Sequence, residues 1–390
     1  MKIAGLFSGI GGLELPFHRR GLHASVVCDA WEPSQQVLRA RFPDARLSRD
    51  VATLRWLPAD TQLVTAGFPC TDLSQAGRTA GINGRESGLV AHVFRLIRNR
   101  NIEWLVLENV RNMLVLDKGG AMAFLTAELE ALGFRWAYRL VDSRFSGVPQ
   151  RRHRVLLVAS RHHDPREVLF ADEAGEPDIA RFADDAYGFY WTEGLRGLGW
   201  ARDAVPPLKG GSGLGIPSAP AVWIPGASPG RKIVMPGIED AEALQGFDRG
   251  WTEAAHTGKS NGPRWKLVGN AVTVGVADWL AARLITPGAV CIDSGPSDAG
   301  KPWPDAAYGE NGRRWTFHAS HWPVIRDYQP LLSVVDAKRA QPLSRRATAG
   351  FAERAGRSTL RFDPRFIDDL HEHIDVMSGS GDSLPRIATA

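Results

Sequence analysis

An α/β fold built on a doubly wound, mostly parallel sheet is predicted by two observations. Short apolar runs alternate with amphipathic stretches through the first half of the 390 residues, the pattern that strands and crossover helices leave in sequence. Three unusual loops, "FSGIGG", "GFPC" and "ENV", follow or end the predicted strands, and in open α/β sheets the ligand crevice lies beyond the carboxyl ends of the strands.

In chain order, "KIAGLF", "SVVCD", "LVTAGF", "WLVLENV" and "RVLLVAS" read as strands. Between them "SGLVAHVFRLIRNR" and "GAMAFLTAELEALGF" carry apolar residues at helical spacing. The pattern changes after about residue 160. Residues 161–204 are mixed in charge, and 205–237 are rich in Pro, Gly and Ser, an irregular insert. Regularity returns at "IEDAEALQGF" and at "VGNAVTVGVADWLAARL", read as one helix that completes the first domain. The expected organisation is a catalytic domain over 1–160 and 238–284, an insert over 161–237, a linker over 285–312 and a C-terminal extension over 313–390. In that extension Arg and His are interleaved with Trp, Phe and Tyr.

The formal charge of +4 and the excess of Arg over Lys suit a phosphate-rich partner without identifying one. Cys28, Cys70 and Cys291 lie far apart in sequence and form no ligand spacing, so neither a disulfide framework nor a metal site is expected. A reducing cytoplasm fits best. No apolar run long enough to span a bilayer is apparent.

Taken singly, the loops are ambiguous. "LFSGIGG" is a strand followed by a Gly-rich turn into a helix, where small residues let a ligand approach exposed N–H groups; a purely structural turn reads the same way. Asp29 and Asp50 follow strands, placed for a ribose hydroxyl pair and an adenine amino group respectively, although an Asp there taken alone is more often a helix cap. Cys70 is by default a small buried hydrophobe. Pro69 before it and the glycines around it, however, position a side chain rather than bury it. Glu108 ends an apolar strand, so its carboxylate is expected in the crevice as an acid. In "QRRHR", alternate residues at a strand start share a face, which brings Arg152 and Arg154 to the same site.

Taken together, "FSGIGG", "GFPCTDLSQAG", "ENV", "QRRHR" and "GNAVTVGVADWLA", in this order, resemble the DNA (cytosine-5) methyltransferase family over roughly residues 1–160 and 231–284. The resemblance implies a Rossmann-like methyltransferase sheet, S-adenosyl-L-methionine as methyl donor and double-stranded DNA as substrate. It places Phe7, Ser8, Gly9, Ile10, Gly11 and Gly12 around the cofactor, Asp29 and Ala30 at its ribose, and Asp50 and Val51 at its adenine. Gly67 and Pro69 complete the cofactor wall, and Asn270, Ala271 and Val272 close it. Cys70 becomes the thiolate that adds to cytosine C6, Glu108 the partner of N3 and the exocyclic amine, Arg152 the cation at O2 and Arg154 its support. The target base must leave the helix to reach them.

Asp29 stands where the family usually carries Glu, and Thr71 where some members carry Gln. The insert 161–237 holds the position of the family's target-recognition region. A restriction enzyme or other defence proteins are the expected partners, and no membrane is. The same chemistry on tRNA, or a silent DNA-binding relative that keeps the fold, are the rival readings; the joint presence of Cys70, Glu108 and Arg152 argues against a silent one.

Overall fold

In the computed structural model, residues 1–69, 88–193, 195, 197–210, 219–256, 258, 261–296 and 302–379 are described. The first five strands are β1 (Ile3–Leu6), β2 (Ala24–Cys28), β3 (Arg46–Ser48), β4 (Leu63–Ala66) and β5 (Trp104–Val110). They pair in parallel in the order β5-β4-β1-β2-β3. Every residue of β1 and β4 is buried, as expected of strands covered on both faces. The order reverses between β1 and β4, so the loops that follow these two strands open on a shared crevice.

Helices α1 (Glu32–Arg41), α2 (Leu89–Ile97) and α3 (Gly120–Ala131) cover the sheet. In α2, Val90, Val93, Phe94 and Ile97 are buried, which is a single face at helical spacing. They pack with α3 on one side of the sheet, while Val37 and Leu38 of α1 pack on the other.

Beyond β5 the sheet is no longer parallel. β6 (Arg135–Asp142) and β7 (His153–Ser160) are antiparallel neighbours, and β7 inserts between β5 and β6. The connection from β6 to β7 is too short for a crossover helix, so the two must run in opposite directions.

The insert is more regular than its composition suggests. β8 (Tyr187–Phe189), β9 (Ala201–Arg202), β10 (Ala221–Trp223) and β11 (Ile233–Met235) form an antiparallel sheet. Helix α4 (Ile238–Leu244) leads back to the main domain.

The stretch read above as one helix is two, α5 (Gly262–Asn270) and α6 (Val274–Ile285), with extended backbone at Ala271 and Thr273 between them. Side chains take the carbonyls that a continuous helix would have used. Gln245 donates to Val268 O and Ala271 O, and Arg152 to Gly269 O and Ala271 O. By length and composition Gly262–Ile285 could cross a membrane, but 67% of its apolar 18-residue window is buried inside the fold and the break interrupts it.

The chain after residue 285, read as linker and extension, is woven into both sheets. β12 (Ser294–Pro296), β13 (Ala306–Glu310) and β14 (Arg313–Phe317) continue the main sheet from β6 in the order β6-β13-β14-β12. β15 (Gln341–Pro342) then pairs with β11 in the small sheet. Helices α7 (Arg345–Gly356) and α8 (Pro364–Gly379) cover one face of that sheet, with Phe351, Phe366 and Leu370 packed on Phe189 and Trp223. The opposite face meets α4 and Leu331, Val334 and Val335.

Candidate active site

The Gly-rich turn after β1 is shaped by its neighbours. Phe7, Gly9 and Gly11 have φ of 54°, 56° and 83°, so even the non-glycine Phe7 is held in the left-handed region. A Cβ at Gly11 would come within 2.2 Å of the Phe42 ring, and one at Gly12 within 2.7 Å of Val272 O. Gly9 has nothing within 4 Å of its Cβ position, and it lines a cavity of about 480 Å³. The turn is packed tightly from behind and open in front.

Gly9 N donates to Asp29 Oδ2 at 2.9 Å, and Trp31 N donates to Asp29 Oδ1 at 2.9 Å. Burial raises the Asp29 pKa and these two amides oppose the rise. Asp50 Oδ1 accepts from Ala52 N at 2.8 Å, the local turn that an Asp after a strand commonly makes.

Glu108 and Arg154 meet because of strand register. Val110 pairs with Arg154 across β5 and β7, and Glu108, two residues back on the same face, is the diagonal neighbour. Arg154 Nε lies 2.9 Å from Glu108 Oε1, with side chains 11% and 9% exposed. Asn109 Nδ2 donates to Phe68 O at 3.0 Å, which ties the end of β5 to the loop after β4.

Arg152 lies just before the first residue of β7 and lines the same cavity as Arg154. Its guanidinium donates to Leu208 O, Gly269 O and Ala271 O at 2.9, 3.0 and 2.9 Å. Burial, and then Arg154, push its pKa well below the usual value. Arg152 thus braces the wall through three carbonyls, and Arg154 is the cation paired with Glu108.

Of the anticipated residues, Phe7, Gly9, Asp29, Ala30, Asp50, Val51, Gly67, Pro69, Glu108, Arg152, Arg154 and Asn270 line this one cavity. Ile10, Ala271 and Val272 are buried in the core instead. Ser8 Oγ accepts from Cys28 N. Cys70 and Thr71 lie outside the described residues. Cys28 also lines the cavity, but burial pushes its thiol up to about 11, which leaves too little thiolate at neutral pH for nucleophilic work.

Trp31, Asn109 and Lys266 are among the further residues that line the wall and escaped the sequence reading. Trp31 directly follows "CDA", so an aromatic just past the end of β2 is a usable signal. Lys266 Nζ stands 4.6 Å from the Trp31 ring, a contact between distant segments that no local pattern reveals. Among the described residues, no group of three or more His, Cys, Asp or Glu side chains is placed to hold a metal. A second cavity, of about 450 Å³, lies behind α6. Its charged residues are paired, Arg283 with Asp172 and both Arg20 and Arg326 with Asp278.

Residues 1–181 match the family model described as C-5 cytosine-specific DNA methylase. The chain is 45% identical over 384 residues to Type II methyltransferase M2.BsuMI of Bacillus subtilis (strain 168), covering 95% of this chain and 97% of that protein. It is 32% identical over 161 residues to Type II methyltransferase M.SsoII of Shigella sonnei, covering 40% and 42% of the two chains. The fold resembles the crystal structure of S. pombe Dnmt2 methyltransferase, with a TM-score of 0.53 at 16% identity over 73% of this chain and 98% of that one.

Proposed function

Since this chain belongs to the C-5 cytosine-specific DNA methylase family, and is therefore a DNA cytosine-5 methyltransferase, we propose that it methylates a cytosine in the recognition sequence of a Type II restriction-modification system, with Cys70 as the attacking thiolate and S-adenosylmethionine as donor. The observation that carries this reading is the buried Glu108–Arg154 pair in the same cavity as the Gly-rich turn and Pro69, the residue before Cys70.

The cavity fits the cofactor. Gly9 leaves open space in front of the turn, the Asp29 carboxylate is held by two amides for a ribose hydroxyl pair, and Trp31, Asp50 and Val51 line the part where adenine would lie. Asn270 closes the far side. When bound there, S-adenosylmethionine supplies the methyl group that cytosine C5 takes.

The chain's own residues make C5 able to take it. The Cys70 thiolate adds to C6 of a flipped cytosine, and the ring electrons move toward C5. Glu108 gives a carboxyl proton to N3 and accepts from the exocyclic amine, which neutralises the negative charge that develops on the ring; the proton returns when the thiolate leaves. Arg154 holds Glu108 in place and supplies positive charge beside O2, while Arg152 keeps the wall in register. A base, water in the simplest case, then removes the C5 proton and the thiolate leaves by elimination. Flipping costs about a few kcal/mol.

DNA carrying 5-fluorocytosine should trap wild-type protein covalently, because fluorine does not leave as the proton does. Cys70→Ala should form no adduct and transfer no methyl group while still binding cofactor; methyl transfer by Cys70→Ala would refute the mechanism. Labelled cofactor offered with duplex DNA or with tRNA identifies the substrate class.

A further inference from the structure

Lys209 sits on the wall of the cavity through its backbone. A Cβ at Gly269 would come within 2.3 Å of the Lys209 carbonyl carbon, and one at Gly210 within 2.4 Å of Asn270 Oδ1. The segment around Lys209 therefore lies directly on the Gly269–Asn270 turn, and both turn residues line the cavity. At Gly269 the approach is backbone to backbone, so a side chain there would push the two segments apart.

The Lys209 side chain stands at the rim. Its ammonium lies 3.7 Å from the Tyr190 ring centroid and pairs with the Glu193 carboxylate. The Lys209 and Glu193 side chains are 43% and 42% exposed. Tyr190 is buried, and its phenol donates to Pro207 O at 2.5 Å, so the ring is a fixed platform for the ammonium. Arg151, Arg152 and Arg154 all act electrostatically on Tyr190. Tyr190 thus stands between the buried arginines of the cavity and the half-exposed Lys209, whose ammonium the Glu193 carboxylate neutralises.

Glu193 is itself held from another part of the chain. Arg354 of α7 donates to Glu193 O at 2.9 Å and Trp191 O at 2.8 Å. Trp191 Nε1 donates to Ala219 O at 2.9 Å. The C-terminal helices, which cover the small sheet, in this way reach the edge of the catalytic crevice.

We propose that Lys209 contacts a DNA phosphate flanking the flipped cytosine, that Glu193 occupies the place of that phosphate in the free protein, and that Arg354 is the positioning residue that holds the pair at the rim. Extruding a base brings its flanking phosphates to the mouth of the pocket that receives it. A half-exposed ion pair contributes little stability, so a phosphate displaces Glu193 at small cost. The proposal rests on duplex DNA being the substrate at this crevice.

The test measures duplex DNA affinity against salt for the full-length protein, with cofactor affinity and melting temperature as controls. Lys209→Ala should weaken DNA binding about tenfold irrespective of sequence, and lower the slope of log K against log salt by about 1. Glu193→Gln should do the opposite, tightening binding several-fold, because it releases Lys209. Arg354→Ala should weaken binding, and the Lys209→Ala/Arg354→Ala double variant should be no worse than Lys209→Ala alone. Cofactor affinity should not move in any of them.

An unchanged affinity and slope in Lys209→Ala overturns the phosphate contact. Weaker rather than tighter binding by Glu193→Gln overturns the stand-in. Additive losses in the double variant overturn the positioning role of Arg354. If Arg354→Ala melts early, the opposite signs expected of Lys209→Ala and Glu193→Gln still decide the matter. Failure of the wild type to bind duplex DNA while binding cofactor normally sinks the functional reading itself, before any variant is compared.

Discussion

Glu14 lies behind the Gly-rich turn, fully buried, and accepts from Thr65 Oγ1 at 2.7 Å. Its Oε1 occupies the space where a Cβ at Gly5 would come within 2.3 Å, and its Oε2 has no partner. Burial pushes this carboxyl up to about 7. The folded protein therefore binds a proton that the unfolded chain has already released, and stability falls as pH rises between about 4.5 and about 7. Glu14→Gln should remove roughly 3 kcal/mol of that fall, so urea melts at pH 5 and pH 8 should differ less in the variant than in the wild type. Equal pH dependence in the two proteins would show that Glu14 is not the titrating group. At this scale the identities of Glu108 and Arg154 were legible in sequence, but their pairing was not, since it depends on which residue of β7 faces Val110. Both arginines reach the one cavity that alternation at the start of β7 predicts, but the partners of Arg152, three carbonyls from distant segments, leave no mark in the local sequence.

At the level of elements, the break between α5 and α6 closes the cavity. Arg152 and Gln245 hold its free carbonyls, and Thr273 Oγ1 donates to Gln245 Oε1 at 2.8 Å. Arg152→Met would leave the carbonyls of Leu208 and Gly269 without their donor and weaken the hold on Ala271 O. The expected cost is about 3–5 kcal/mol in stability, together with weaker cofactor binding because Asn270 adjoins the turn. Arg152→Lys should not restore either, since one ammonium cannot reproduce a planar fork that reaches three carbonyls. Denaturant melts and calorimetric titration with S-adenosylmethionine check both expectations. Sequence periodicity ran through this break because the residues on both sides face the core with helical spacing; the side chains that interrupt the helix come from elsewhere in the chain.

Over the whole molecule, the C-terminal third is structural as well as peripheral. It adds β13 beside β6 in the main sheet and lays α7 and α8 over the small sheet. Trp223 Nε1 donates to Asp369 Oδ2 at 2.8 Å, and Lys232 pairs with Asp369 and Glu372 at 2.6 Å each. Phe366 is fully buried among Phe189, Trp200, Trp223 and Phe351. Phe366→Ala should cost about 3–5 kcal/mol and loosen the small sheet before the main one. Limited proteolysis of this variant should cut within residues 185–240 while the first 160 residues stay protected; simultaneous loss of both regions would mean that the two sheets unfold as one unit. The composition of residues 205–237 hid this arrangement, because short strands among Pro and Gly acquire their order from partners that arrive more than a hundred residues later.

By itself the sequence determined the family, four of the five parallel strands and twelve of the 22 described residues that line the cavity, because those features are local: apolar runs, turn residues and a fixed order of motifs. Tertiary structure alone decided which arginine faces Glu108, where the late helix breaks and that Arg354 of α7 holds the backbone at Trp191 and Glu193. Each of those outcomes depends on strand register or on a hydrogen bond between segments far apart in the chain, and neither leaves a periodic trace in the residues that make it.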